Sequence, residues 1–406
     1  MNDRRTFIKQ SFAGSAAISL SGVLPRFLLG ASRNPEKTSN ERILVVVQLS
    51  GGNDGLNTVV PYGDDDYYKN RFTLAIGKNS VLKINDHVGL HPAMAGFDEL
   101  LQNDQLAVVQ GVGYPNPNRS HFESMDLWHT AHRITESNRI GWLGRTIDDN
   151  LTTNDLPGLH LGDGLQPLAL RNEKKPVPSI QSIDNFRLNI FKDASTRKQL
   201  APLIRQPRTS DNELLSYIHE SANVALETSH RIEKVTGKVN DEFGYPTTTL
   251  GRNLSVIARL IGSGLSTRIY YTTLDGFDTH SNQAEAHQGL LGNLSSSVSA
   301  FMKELNSQGN SERLALVSFS EFGRRVRENA SRGTDHGTAA PMFVIGKQVK
   351  SGLIGKHPSL SPNRLVEGDM KFNIDYRSVY AEVLTNWLGI APRPIVGDHK
   401  PIRVFA

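Results

Sequence analysis

Apolar and polar positions divide the chain into continuous apolar runs, most of them emptying into a polar, glycine-containing loop. Ile43-Leu44-Val45-Val46-Val47-Gln48-Leu49 is a β-branched run suited to a strand buried on both faces of a parallel sheet. Residues 106–112, 268–273, 314–319 and 342–345 have the same character and predict four more strands. Between them the sequence predicts helices at 92–101, 121–132, 211–235, 249–262, 283–307 and 376–388. Alternation of strand and helix predicts an α/β fold, a doubly wound and mostly parallel sheet covered by helices. Residues 42–406 read as one domain. The stretch at about 150–210, rich in Pro, Asn, Asp and Arg, reads as an insertion or small subdomain with short strands.

The N-terminus changes the picture. Arg4-Arg5-Thr6-Phe7-Ile8-Lys9, a mild apolar segment from Ser11 to Leu29 and the small residues Gly30-Ala31-Ser32 predict a twin-arginine signal peptide over 1–31. The expected partner there is the twin-arginine export machinery, and the expected location is periplasmic or extracellular. A membrane anchor fits less well, since the segment is short and interrupted by Pro25 and Arg26. No later stretch is long and apolar enough to span a membrane, so no stable membrane span is expected. Residues 32–41 read as a polar linker. With no cysteine among 406 residues, stability must come from an ordinary core, which a 38% hydrophobic composition allows. The formal charge of +4 loses Arg4, Arg5, Lys9 and Arg26 against Asp3 with the signal, leaving +1. Nothing in that balance argues for nucleic-acid binding.

Four loops carry candidate chemistry. Gly51-Gly52-Asn53-Asp54-Gly55 lacks the spacing of a Walker or dinucleotide loop. Asp54, at the carboxyl end of the first strand, is either a turn residue or a metal ligand or general base. In Arg119-Ser120-His121-Phe122-Glu123, Ser120 and Glu123 have the spacing of a capping box. Ser120 also stands where helix-terminal amides would stabilise an alkoxide, and Arg119 could clamp an anion. His121, His129 and His132 share one helical face, but only His121 lies near the loop. In the third loop Asp278 and His280 are two residues apart and suit one ion, with Asp275 as a further contact or third ligand. The last loop carries Glu321 directly after a strand, then Arg324 and Arg325 as paired guanidinium groups for an anion. Arg327 and Glu328 read as a solvated face. Asp335-His336 follows, a carboxylate and an imidazole suited to a divalent metal.

Taken together, the twin-arginine signal, the run from Ser50 to Tyr62, Arg119-Ser120-His121-Phe122, Phe277 to Gln283, Ser320 to Arg324 and Gly333 to Gly337 resemble the exported bacterial proteins called domain of unknown function 1501. That family looks like a divergent branch of the alkaline phosphatase and sulfatase superfamily. The resemblance implies a two-metal site at the strand ends, a hydroxyl nucleophile, and hydrolysis of small anionic phosphate or sulfate esters. On it, Asp54 matches the first-strand metal aspartate, Ser120 lies near the nucleophile position, and His336 matches the late histidine ligand. Asp278 and His280 sit where an aspartate and a histidine for one metal are expected, although the spacing there is Asp-x-His. Glu321-Phe322 stands where active members carry Asp-His, so one imidazole is missing. The expectation is therefore a zinc, calcium or magnesium site depleted in nitrogen, or a non-catalytic protein that keeps the fold and binds a ligand or partner.

Overall fold

Ile43–Leu49 (β1) is buried along its whole length because both of its faces are covered. Successive side chains leave a strand on opposite sides, so Val45, Val47 and Leu49 join one core while Leu44 and Val46 join another. The computed structural model describes residues 41–132, 139–151, 157–162, 164–173, 177, 179–180 and 241–406. The signal over 1–31, the linker up to residue 40, the helix expected at 211–235 and most of the 150–210 insertion lie outside the described residues.

β1 runs through the middle of a nine-stranded sheet. Its other strands are Leu106–Gly113 (β2), Gly158–Leu161 (β3), Ser179–Ile180 (β4), Ile269–Leu274 (β5), Leu314–Ser320 (β6), Ala340–Ile345 (β7), Gly352–Ile354 (β8) and Ile374–Asp375 (β9). Their order is β8-β2-β7-β6-β1-β5-β3-β4, with β9 pairing with β2 further along the same strand. Every pairing is parallel except the two made by β7, which is antiparallel to β2 and β6. The mostly parallel α/β architecture expected from the pattern is the one observed. The described strands of the 150–210 stretch, β3 and β4, extend this sheet.

Helices cover both faces, as a parallel sheet requires. Ala95–Gln102 (α1), Thr249–Gly262 (α4) and Gln283–Ser307 (α5) pack on one side. On the other side lie His121–Thr130 (α2), Trp142–Asn150 (α3) and Tyr376–Glu382 (α6), the last continuing as a π-helical turn over Val383–Leu388. α2 stops at Thr130 because Ala131 takes a left-handed conformation with φ 59°, so His132 leaves the expected helical face. All three tryptophans of the chain are buried in this second layer. Trp128 stacks on Phe319 and Tyr376, and Trp142 on Tyr380.

Register places the functional loops. Leu49 lies opposite both Leu274 and Ser320, so β1, β5 and β6 end at one edge. β2 runs in the same direction, since it and β6 are both antiparallel to β7, and it delivers the chain to α2 at that edge. Trp128 locks α2 in place, and Trp128→Ala should lower unfolding stability by about 3–5 kcal/mol. Urea unfolding followed by circular dichroism checks the value, and a loss within 1 kcal/mol on the same scale would show that the stacking does not hold α2.

Candidate metal centre

Three loops at the sheet edge are tied together from beneath by one buried cation. Arg324 donates from Nε to the Gly52 carbonyl (2.6 Å) and from one terminal nitrogen to the Thr334 carbonyl (2.7 Å). Its other terminal nitrogen donates to the Gly51 carbonyl, the Phe277 carbonyl (2.8 Å) and Asp278 Oδ1 (2.8 Å). Glycine is needed where the backbones come this close. Gly51, at φ +114°, would drive a Cβ into the Asp278 backbone nitrogen, and Gly52, at φ +78°, into the Phe322 ring. The carboxylate of Glu321, wholly buried, accepts from Gly51 N (2.8 Å) and from the Ser320 hydroxyl (3.0 Å).

Three imidazoles converge on Asp278. Oδ1 of Asp278 lies 3.0 Å from His336 Nε2, 3.0 Å from His280 Nε2 and 3.5 Å from His121 Nε2. His280 Nε2 and His336 Nε2 are themselves 2.9 Å apart. The far nitrogens are all occupied. His336 Nδ1 donates to the Arg119 carbonyl (2.8 Å), which fixes the tautomer because a carbonyl can only accept. His121 Nδ1 donates to Glu321 Oε1 (2.9 Å), and His280 Nδ1 to Asp335 Oδ1 (3.3 Å). With the protons on Nδ1, the Nε2 lone pairs and a carboxylate oxygen face one another, and His121 Nε2 is buried without a hydrogen bond. Acceptors meet at this distance only with positive charge among them, either extra protons or a cation.

The residues fit a divalent ion. His121, Asp278 and His336 offer ligand atoms within 4.8 Å of one another, and His280 Nε2 adjoins two of them. Tetrahedral zinc with bonds of about 2.0–2.1 Å to nitrogen holds its ligand atoms roughly 3.3 Å apart, which the observed spacings bracket. Carboxylates and a carbonyl on the outer nitrogens are the usual supports of metal-binding imidazoles. Burial pushes the Asp278 pKa up, but the Arg324 and His336 hydrogen bonds and the Arg324 and His280 charges outweigh it and hold the pKa at about 2. The Glu321 hydrogen bond raises the His121 pKa against the opposing effect of burial, so the group draws positive charge. The site opens into a cleft of about 490 Å³ lined by Gln48, His121, Phe122, His129, Asp278 and Glu321.

The sequence candidates separate into three groups. Asp278, His280 and His336 face the centre. Glu321 and Asp335 stand behind His121 and His280, holding their outer nitrogens. Asp54 is beneath the site; its carboxylate takes two hydrogen bonds from Arg71 (2.5 and 2.9 Å) and one from Gln283 Nε2 (2.5 Å). Gln283 Oε1 in turn accepts from Thr279 (3.1 Å) and Thr334 (2.5 Å), so Asp54 acts on the ligand loops at one remove. Asp275 lines a neighbouring cavity instead.

Both arginine assignments change. The Arg119 guanidinium is bound to Asp369 (2.5 and 2.9 Å) and Glu367 (3.3 Å), and Arg324 is consumed by the loops, so neither is an open anion clamp. Ser120 begins α2, but neither bond of a capping box forms. Its hydroxyl caps nothing, its N–H donates to Asn118 Oδ1 (2.7 Å), and Glu123 accepts from Asn118 instead. Glu328 is buried, accepting from Thr73 and Leu74, rather than lying on a solvated face with Arg327. The residue that sequence reasoning passed over is His121. It was adjacent to Ser120, and the imidazole missing at Phe322 was the signal to look for a substitute at the same sheet edge. Phe322 packs against the His121 and His336 rings, 4.9 and 4.7 Å between centroids. Three imidazoles and one carboxylate oxygen, a nitrogen-rich set, therefore meet where a nitrogen-poor set was expected.

The chain belongs to the family described as "Protein of unknown function (DUF1501)", whose model matches residues 41–394. No curated protein matches. Among solved structures it is similar to Ps i-CgsB in complex with k-i-k-neocarrahexaose, at 11% identity and TM-score 0.43, covering 90% of this chain and 76% of that one. It is also similar to a protein in the alkaline phosphatase superfamily from Vibrio parahaemolyticus, at 9% identity and TM-score 0.41, covering 90% and 71%. A third is the PsFucS1 sulfatase from Pseudoalteromonas sp., at 10% identity and TM-score 0.35, covering 85% and 68%. Among the described residues no helix is long and apolar enough to cross a membrane.

The buried Asp54–Arg71 pair makes stability depend on acid. Burial opposes ionisation of Asp54, but the Arg71 charge and hydrogen bonds win and lower its pKa from 3.8 to about 2. The folded value is below the unfolded one, so the contribution is present above pH 3.8 and is lost as pH falls towards 2. It amounts to about 2 kcal/mol. Asp54→Asn should cost about 3–5 kcal/mol at neutral pH by stranding Arg71 and flatten the acid slope in urea melts. An unchanged slope in that variant would assign the acid sensitivity elsewhere.

Proposed function

We propose that this protein is an exported metal-dependent hydrolase of phosphate or sulfate esters, with one divalent ion held by His121, Asp278, His280 and His336. The observation that carries the reading is the convergence of three Nε2 atoms on Asp278 Oδ1 with every outer nitrogen anchored. Nitrogen-rich ligation favours zinc over calcium or magnesium. A bound zinc would supply Lewis-acid polarisation of a non-bridging ester oxygen. Ser120 is the proposed nucleophile. It stands between His121 and Arg119, whose carbonyl holds His336, and its hydroxyl is engaged in no cap. Asp335 and Glu321 keep the imidazoles in the tautomer that leaves Nε2 free.

A second reading has its own support. Arg119 and Arg324 are both satisfied within the protein, and Arg325 is drawn to Asp369 (3.5 Å) and the Glu367 carbonyl (3.2 Å), so each guanidinium of the candidate set already has a partner other than an anionic ester. An exported protein that holds an ion and binds a ligand without turnover is therefore the alternative.

Calorimetric titration of chelator-treated protein with zinc should show one site per chain. His121→Ala should weaken zinc binding at least tenfold, whereas Ser120→Ala should leave it unchanged and abolish hydrolysis of p-nitrophenyl phosphate or sulfate. Zinc binding by the wild type with no turnover of either ester selects the second reading; absence of zinc binding rejects both.

For export, Arg4→Lys with Arg5→Lys should leave unprocessed protein in the cytoplasm, because the receptor reads the guanidinium pair. Normal periplasmic yield of the double variant would remove the twin-arginine assignment.

A further inference from the structure

The cleft above the candidate metal centre adjoins a second cavity of about 750 Å³, and Gln48 and His129 line both. Their hydrogen bonds set what the shared wall presents. Gln48 Oε1 accepts from the Tyr271 hydroxyl (2.6 Å) and lies 2.9 Å from His129 Nε2, which is itself 3.2 Å from that hydroxyl, so the three groups form one buried network. Among the described residues the Gln48 NH2 group takes no partner. His129 joins that network through Nε2. Burial lowers the His129 pKa to about 3 and keeps the ring uncharged.

The far wall repeats the arrangement. Asn293 Oδ1 accepts from Thr248 (2.6 Å) and Ser297 (3.1 Å), leaving its NH2 group as a donor on the cavity lining. Asp275 adds an exposed acceptor. Among the described residues no lysine or arginine lines either space, and Asp126 and Asp275 stand in their walls. A second anionic group would meet carboxylates there without a counter-charge. A hydrocarbon would strand buried donors at about 1–3 kcal/mol each. Paired donors and acceptors without net positive charge suit hydroxyl groups, each of which both donates and accepts. At the mouth Phe122 is 86% exposed, a bare ring beside the ligand His121 on which the apolar face of a saturated ring can lie.

We propose that this double cavity binds the alcohol portion of the ester, and that this portion is a neutral, hydroxyl-rich ring system, in chemical terms a carbohydrate. The inference rests on the hydrolase reading for the word ester and on the cavity alone for the carbohydrate. In hydrolysis the phosphate or sulfate keeps the hydroxide of water, and the sugar oxygen leaves with the remaining proton. Gln48, Asn293 and Phe122 are then specificity residues that meet the sugar rather than the reacting atoms.

The probes are four neutral methyl glycosides of glucose, galactose, mannose and N-acetylglucosamine, presented at millimolar concentration to the full-length protein with and without zinc. Saturation-transfer NMR should show contact with at least one. Gln48→Leu should reduce that contact at least tenfold in affinity, with Phe122→Ala, at an exposed position that leaves the core untouched, as the second variant. Thermal melts establish that each variant is folded. No transfer to any of the four by zinc-loaded wild type overturns the proposal while leaving the metal centre standing. Contact that survives both substitutions also overturns it, because the sugar then lies elsewhere. Failure to bind zinc, with glycoside contact intact, rejects the hydrolase reading and leaves the carbohydrate site.

Discussion

The Arg324 guanidinium is the interaction on which the site depends. It reaches carbonyls of the loops after β1 and β5 and of its own loop after β6, and it also meets Asp278. A planar group with five N–H donors can satisfy several carbonyls at once, which a lysine ammonium at the same place cannot match in geometry. Buried charge is costly unless it is compensated in this way. Because the same cation also holds Asp278 ionised, loop geometry and ligand charge come from one side chain. The two glycines beside it let the backbones close up around the guanidinium.

Around that anchor the polar residues are layered. Carboxylates stand outside the imidazoles, each orienting one ring, and Asp278 alone meets them from within. Beneath, Gln283 connects the Asp54–Arg71 pair to the threonines that neighbour Asp278 and Asp335. Asp54 thereby influences the centre without touching it. Residues read from sequence as one ligand set separate in the structure into those that face one another, those that hold the outer nitrogens and Asp54 beneath, distinguished only by which atom faces which.

The resemblance pointed to loops that do meet at one sheet edge, and it did not include His121 among their partners. Glu321-Phe322 looked like the loss of an imidazole, and at that position it is. His121 supplies one from α2, a separate element delivered to the same edge by β2, while Glu321 becomes its hydrogen-bond acceptor and Phe322 its packing neighbour. Glu321 and His121 lie 200 residues apart, so the motif around Phe322 signalled a gap without naming the side chain that stands there.

The sequence by itself determined the sheet and its binding edge. Long β-branched runs such as Ile43–Leu49 can be buried only inside a covered sheet, and polar loops after parallel strands collect at one end, so the segments holding Asp54, Asp278, Glu321 and His336 are identifiable from the sequence alone. Helix ends such as Gln283 and Ser307 were legible because apolar spacing survives at any exposure. The tertiary structure decided what each polar side chain does. Arg119 and Arg324 have the sequence appearance of anion clamps, and only the arrival of Asp369, or of three loops' carbonyls, turned them into struts. Ser120 and Glu123 have capping-box spacing, and Asn118 instead accepts from the Ser120 N–H and donates to the Glu123 carboxylate. The physical reason is that burial patterns follow from local periodicity, whereas most hydrogen bonds of the site depend on partners some 50 to 270 residues apart, whose positions exist only once the chain has folded.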